Sequence, residues 1–505
     1  MSAQTPAVDA QPHALRYLCL SDLHLGAAYS LLTSSDDKDQ PDPTRPSATL
    51  VAFGQALRQT VAALQAASPG SPPVTLVLLG DVLDMGLSPM GDVAAAFNCF
   101  VQALYPADGP QLFSTQVLYV PGNHDHHLWR VAQDRQYLDQ LDPPGDLPPD
   151  LIDTTALFPD KEKTPVRSEL LTQLMRRQPH LADATVRIVY PNLGLFDEAS
   201  GRCVLMHHGH YVDSTYTVMS SLNQAVWQTP PPQDVATIEG QNGPWVDFLW
   251  SDLGSAGTTG QSALTLYEVL RDAGASRTFT ELAGDQAAQL LSRTLGISGQ
   301  TQTVQGLTVE QLLRALMDVT IGRAAESERD DDLQLMSASG RQLLIDYLAG
   351  PLKRQLDEAL AKVSPTAPTR LGATRFIYGH THKPFEREFA VPGYPMPVAV
   401  YNTGGWVIDQ PTMGGTQGAA AVLVDAALNV ASLRLFQDPA NGHMKPVQVS
   451  DVGSMRPQPN PLRDALLGAV EAQRAAWQVF SQAACAAAEL QAARLLDRFF
   501  QPQQS

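Results

Sequence analysis

At 505 residues the chain exceeds what one hydrophobic core usually organises, so two domains, or one domain with large insertions, are expected. Hydrophobic residues make up 44% and charged residues 17%, an ordinary globular balance, and a formal charge of −18 argues against a broad electrostatic grip on nucleic acid or anionic lipid. The four cysteines form no CxxC pair, and Cys19 and Cys203 read as free, buried thiols. Met1 to Gln11 lacks a cationic segment leading into an apolar one, and no run of about 18 apolar residues occurs. A cytoplasmic protein without a transmembrane segment is expected.

One grammar recurs along the chain: a short apolar run that reads as a strand, then a polar cluster. Leu15–Leu20 stops at Ser21-Asp22-Leu23-His24, and Val74–Leu79 at Gly80-Asp81-Val82-Leu83-Asp84. Gln116–Val120 precedes Gly122-Asn123-His124-Asp125. Cys203–Met206 precedes His207-His208-Gly209-His210, and Thr374–Tyr378 precedes Gly379-His380-Thr381-His382. Loops at the carboxyl ends of strands are where layered α/β folds gather their sites. Ser47–Ala67 has apolar residues at helical spacing and reads as a covering helix.

Two regions interrupt this pattern. Residues 130–185 carry Pro143-Pro144-Gly145 and Pro148-Pro149, then a helical stretch over Arg167–Arg177. Residues 211–372 show helical patterns at Ser262–Asp272, Asp285–Leu295, Thr308–Met317 and Gly340–Lys362, which predicts a mostly helical insertion able to act as a lid. Within it, Asp330-Asp331-Asp332 reads as an exposed helix start. Closing strands are expected at Val398–Tyr401, Ala419–Val424 and Ala431–Phe436, and an amphipathic helix at Leu462–Phe500.

Nine of the twelve histidines fall in or beside the five polar clusters. Imidazole and carboxylate together are ligands for hydrolytic transition-metal sites. Asp22 and His24 are two residues apart, so on an extended segment both side chains would point the same way and could share one ion. His380 and His382 repeat that spacing and could serve different ions. Asp81 could bridge two cations, Asn123 offers a carbonyl oxygen, and His208 another imidazole. Seven ligands around two ions are expected.

Read as DxH, GDxxD, GNH(D/E), a histidine before glycine, and GHxH, the five clusters resemble the signature of the calcineurin-like metallophosphoesterases, in order and without gaps. The resemblance covers roughly residues 15–130, 186–210 and 373–436. It implies an α/β layered (α+β) fold: a metallophosphoesterase β-sandwich flanked by helices, comprising 15–210 and 373–436, with the insertion over 211–372 and the C-terminal helix over 462–500 added. It further implies Asp22, His24, Asp81 and His382 around one ion, and Asp81, Asn123, His208 and His380 around the other. The ions would be two divalent cations (Mn, Fe or Zn, with Mn favoured). His207 and His210 flank a ligand, and His208 is preferred because the family's ligand directly precedes the glycine. His124 would protonate the leaving oxygen with Asp84 holding its ring, and a metal-bridging hydroxide would be the nucleophile. Asn402 and Thr403, in Asn402-Thr403-Gly404-Gly405-Trp406, resemble the family's substrate-lining turn. Asp125 is expected to brace its loop, and His126 and His127 to form a surface pair.

The implied activity is hydrolysis of phosphomonoesters or phosphodiesters. The expected substrate is a phosphorylated small molecule or a lipid-like one, the latter suggested by the apolar residues from Tyr211 to Trp227. A nuclease and a lipid-precursor pyrophosphohydrolase are the alternatives within the superfamily, and a non-catalytic metal-bound scaffold is the alternative outside enzymology. His124 stands where the pyrophosphohydrolase branch usually has arginine, and the net charge counts against the nuclease. Oligomeric state is not legible.

Overall fold

The computed structural model describes residues 13–36, 41–141, 147, 150–159, 165–247, 250, 308, 335–363, 371–408, 415–437, 446–452 and 459–500. The first half contributes strands β1 (Leu15–Leu20), β2 (Thr33–Ser35), β3 (Pro41–Pro46), β4 (Thr75–Leu78), β5 (Gln116–Tyr119), β6 (Thr185–Ile188), β7 (Asn192–Asp197) and β8 (Arg202–His207). The second adds β9 (Thr374–Tyr378), β10 (Phe385–Phe389), β11 (Val398–Asn402), β12 (Gly418–Asp425), β13 (Val430–Gln437) and β14 (Gln448–Ser450).

These strands form a seven-stranded sheet of order β14-β13-β12-β1-β4-β5-β6 and a five-stranded sheet of order β10-β11-β9-β8-β7, beside a small β2-β3 pair. Strands β1, β4, β5 and β6 are mutually parallel, as are β8, β9 and β11. The two sheets face each other across a dry layer built from Cys19, Val77, Val120 and Val422 on one side and Val204, Met206, Ile377 and Tyr401 on the other. Buried on both faces, these strands read in sequence as continuous apolar runs rather than alternating ones.

Helices cover both outer faces. On the seven-stranded sheet lie α1 (Ala48–Ala66), α2 (Met90–Leu104) and α4 (Glu169–Arg176), with α3 (His127–Gln140) contributing Leu128 and Trp129 to the same core. Helix α1 starts where Ser47 Oγ accepts from the Leu50 amide at 3.0 Å, an N-cap that also ties back to the Leu31 carbonyl. The five-stranded sheet is covered by α5 (Val218–Trp227), α6 (Val235–Asp247), α7 (Ala338–Ala349) and α8 (Pro351–Val363). Here Leu344, Leu348, Leu352 and Leu356 pack on Phe376 and Val400. The described part of 211–372 therefore shares a core with this sheet.

The expected strands form within a residue or two of their predicted bounds. Two helical stretches differ from expectation. Gly340–Lys362 is two helices broken at Gly350-Pro351, because proline cannot donate to the preceding turn. The C-terminal stretch is likewise two, α9 (Pro461–Ala472) and α10 (Arg474–Phe500), hinged at Gln473. Trp477, Phe480 and Ala484 of α10 are buried in the helical core over the seven-stranded sheet, and Trp477 Nε1 donates to Thr60 Oγ1 of α1 at 3.0 Å. The stretches predicted at 262–272, 285–295 and 308–317 and the run Asp330–Asp332 lie outside the described residues, apart from Thr308. No helix among the described residues is long and apolar enough to cross a membrane.

Candidate metal centre

All five clusters meet at the carboxyl edge of the sandwich. Strands β1, β4 and β5 deliver Asp22, Asp81 and Asn123 from one sheet, and β8 and β9 deliver His208, His380 and His382 from the other. Three groups of donor atoms lie within 4.8 Å of one another: Asp22, His24 and His382; His24, Asp81 and His124; and Asp81, His208 and His380. Every one of these residues is buried.

An extended segment is not what brings Asp22 and His24 together. Asp22, His24, Asp81, His380 and His382 all adopt the left-handed conformation, with φ between 45° and 70°. Non-glycine residues there cost about 1–3 kcal/mol each and persist only where the surroundings enforce them. Enforcement is visible: the Asp22 and His24 amides donate to the carbonyls of Gly80 and Asp81, and the Trp406 amide donates to the Asp22 carbonyl. The spacing in DxH and GHxH thus works through paired left-handed turns, which the notion of a short strand does not anticipate.

Motif glycines make room for ligands of other motifs. A Cβ on Gly80 would strike the His208 ring, and one on Gly379 would strike the Asp22 carboxylate. Each cluster is therefore shaped by a neighbour distant in sequence.

Hydrogen bonds fix the rings. His208 Nδ1 donates to the Leu79 carbonyl at 3.0 Å, turning Nε2 toward Asn123 Oδ1 at 3.1 Å and Asp81 Oδ2 at 3.4 Å. His382 Nε2 lies 3.4 Å from Asp22 Oδ1. The Asp22 carboxylate accepts from Ser21 Oγ and, at 3.0 Å, from the His380 amide. His124 Nδ1 lies 2.8 Å from Asp84 Oδ1, and the His124 amide donates to Asp81 Oδ1 at 2.8 Å.

The electrostatics set buried carboxylates against buried imidazoles. Burial raises Asp22 to about 7, with the Asp81 charge adding to it and His208 opposing. Burial also disfavours the charge on Asp81, yet His208, His124 and His24 outweigh it and hold that carboxyl well below its usual range. His208 is raised to about 9, because Asp81 and Asp22 overcome burial. Burial pushes His380 down. The donor set of carboxylate, carboxamide and imidazole suits a divalent cation with mixed N/O preference, and the face-to-face ring nitrogens of His24 and His382, 3.3 Å apart, match a shared ion.

Neighbouring residues separate into different jobs. His207 and His210 are buried beside the centre but belong to no donor group; His207 Nδ1 accepts from the Gly209 amide, and burial pushes both imidazoles well below their ordinary range. Asp125 accepts from the amides of Gly122, Val82 and Leu83 and from the Tyr119 hydroxyl, joining two loops. His126 does not form a surface pair with His127. It is fully buried between Glu239 Oε1 at 3.3 Å and Asp247 Oδ1 at 3.7 Å, both on α6, while His127 stays exposed. Tyr211, Val212 and Tyr216 are also buried, in the core that covers the five-stranded sheet.

Asn402 and Thr403 are fully buried, and their bonds point inward. Asn402 Nδ2 donates to the Gly379 carbonyl and Thr381 Oγ1, and Thr403 Oγ1 donates to the Tyr378 carbonyl. Both side chains brace the His380–His382 loop from beneath. Two site residues lie outside any motif. Asp213 places Oδ2 3.4 Å from His380 Nε2, and the Trp250 ring lies 4.0 Å from the His124 ring. Neither carries a local sequence signal, since each reaches the centre by tertiary packing.

The family model for calcineurin-like phosphoesterases matches residues 15–275, just over half the chain. The chain belongs to that family. No curated protein matches the sequence. The matched span of this calcineurin-like phosphoesterase ends before Gly379–His382, yet the fold returns that loop to the same centre as Asp22 and His24.

Proposed function

We propose that the chain is a binuclear metal-dependent phosphoesterase that hydrolyses phosphomonoesters or phosphodiesters. The observation that supports this best is the set of donor groups Asp22-His24-His382, His24-Asp81-His124 and Asp81-His208-His380, in which His124 is also held by Asp84 Oδ1 at 2.8 Å. Asp22, His24, Asp81 and His382 would hold one cation, and Asp81, Asn123, His208 and His380 the other. Manganese is the proposed ion, with iron and zinc compatible with the same donors. When bound, such cations lower the pKa of water and neutralise phosphate charge.

The chain's own residues do the rest. Asp84 holds the His124 imidazole by Nδ1, so Nε2 is the nitrogen that passes a proton to the leaving oxygen. Ser21, Thr403 and Asn402 keep the two histidine-bearing loops together, as positioning residues. Residues 15–210 and 373–436 are proposed as the catalytic core, with 211–372 as the insertion that selects the substrate. Assay of the Mn²⁺-loaded protein on p-nitrophenyl phosphate and its bis-ester tests the reading. Hydrolysis of either, abolished by chelation, is expected; no turnover of both with two ions bound would refute it.

A further inference from the structure

We infer that Trp250 is a positioning residue for His124 and, through that ring, governs protonation of the leaving group. The inference rests on the reading of His124 as the proton donor and extends it to a residue outside the motifs.

Three sides of the His124 ring have assigned neighbours. Asp84 Oδ1 takes Nδ1 at 2.8 Å, and the His24 ring meets it edge-on at 4.6 Å, with planes at 86°. Trp250 covers one face, its ring centroid 4.0 Å away and its plane tilted by 31°. Trp250 is itself 6% exposed. An indole on the face of an imidazole removes water from that face and restricts ring rotation.

The placement of Trp250 is built in from both sides. A Cβ on Gly86, two residues beyond Asp84, would collide with the Trp250 carbonyl oxygen, so the glycine is what lets this backbone approach. Preceding it, α6 is anchored to the loop after His124, because Glu239 and Asp247 flank the buried His126 ring. Helix α6 thus contacts the loop that carries the proton donor, and Trp250 meets the loop that carries its carboxylate. A residue that merely filled space would not be expected to affect esters according to their leaving group. A residue that aims the acid should, because poor leaving groups need the proton and good ones do not.

The test compares an alkyl phosphate ester with p-nitrophenyl phosphate in the Mn²⁺-loaded full chain, for wild type, Trp250→Ala, Trp250→Phe, Gly86→Ala, His124→Ala and the Trp250→Ala/His124→Ala double variant. Metal affinity of each is measured by calorimetry. A positioned acid contributes roughly 10²- to 10⁴-fold, so Trp250→Ala should lower kcat on the alkyl ester by about 10- to 100-fold and on the aryl ester by less than about 3-fold. Trp250→Phe should recover much of the loss, Gly86→Ala should reproduce its leaving-group dependence, and metal affinity should not change. The double variant should be no worse than His124→Ala alone, since two residues acting as a unit are not additive. Equal losses on both esters, additivity with His124→Ala, altered metal affinity, or wild-type kinetics in Trp250→Ala would overturn the inference. If His124→Ala itself hydrolyses the alkyl ester at the wild-type rate, the acid assignment fails first, and that result is distinct from a defect confined to Trp250.

Discussion

His24 and His382 turn their Nε2 atoms toward each other at 3.3 Å across 358 positions of sequence. Both rings are buried, and both residues sit in left-handed backbone. Two ring nitrogens at that distance are poorly matched unless a proton or a cation lies between them. The fold spends backbone strain to hold them there, and bound metal would return that cost as stability.

Metal should therefore raise thermal stability. A ligand that binds only the folded state adds RT ln(1 + [L]/Kd), about 2.7 kcal/mol at a hundredfold excess over Kd. Melting of chelated protein is expected to shift upward with Mn²⁺ in a concentration-dependent way. A Tm insensitive to Mn²⁺ would mean that the folded centre does not bind it.

Asp213 should tune one ion and not the other. Its carboxylate lies 3.4 Å from His380 Nε2, and partners that orient a metal-ligating histidine typically contribute 10- to 100-fold in affinity. Asp213→Ala is expected to weaken one of two Mn²⁺ binding events by roughly that factor. Calorimetric titration resolves this, and two unchanged events would remove Asp213 from the centre.

Tethering of α6 should depend on pH. Burial opposes the charge on His126, but Asp247 and Glu239 outweigh it and raise the group to about 9. Because the folded value lies above the ordinary 6.5, the stabilisation is fully present below about pH 6.5 and is lost as pH rises through 9. The shift corresponds to about 3 kcal/mol at most. Denaturant titrations of wild type and His126→Gln from pH 6 to 10 should converge toward the alkaline end; a constant gap would contradict the charge assignment.

The C-terminal helix should matter for stability as well as for covering the sheet. Phe480 is fully buried, 5.9 Å from the Phe53 ring and 6.2 Å from the Trp406 ring, and the Trp406 amide holds the Asp22 carbonyl. Phe480→Ala is expected to cost about 3–5 kcal/mol in denaturant unfolding. A loss below about 1 kcal/mol would show that α10 docks weakly.

Most of the sandwich was legible because strands buried on both faces are continuous apolar runs, and the ligands follow them directly. Strands β6 and β7 were not, since Thr185–Ile188 is short and mixed and Asn192–Asp197 is interrupted by Gly194. His126 looked like a surface residue because its counter-charges, Glu239 and Asp247, lie more than a hundred positions away. Asp213 and Trp250 escaped for the same reason. Local sequence reports what a residue can do, while tertiary packing decides what it touches.

The most direct test of the account is the number of divalent ions the centre holds. Calorimetry with Mn²⁺ on the chelated full chain, backed by elemental analysis, should give two ions per chain for wild type. Asp81→Ala, which removes the carboxylate common to both proposed ligand sets, should lose tight binding of both. One ion or none at saturating Mn²⁺ in the wild type, or two tightly bound ions in Asp81→Ala, would contradict the binuclear centre.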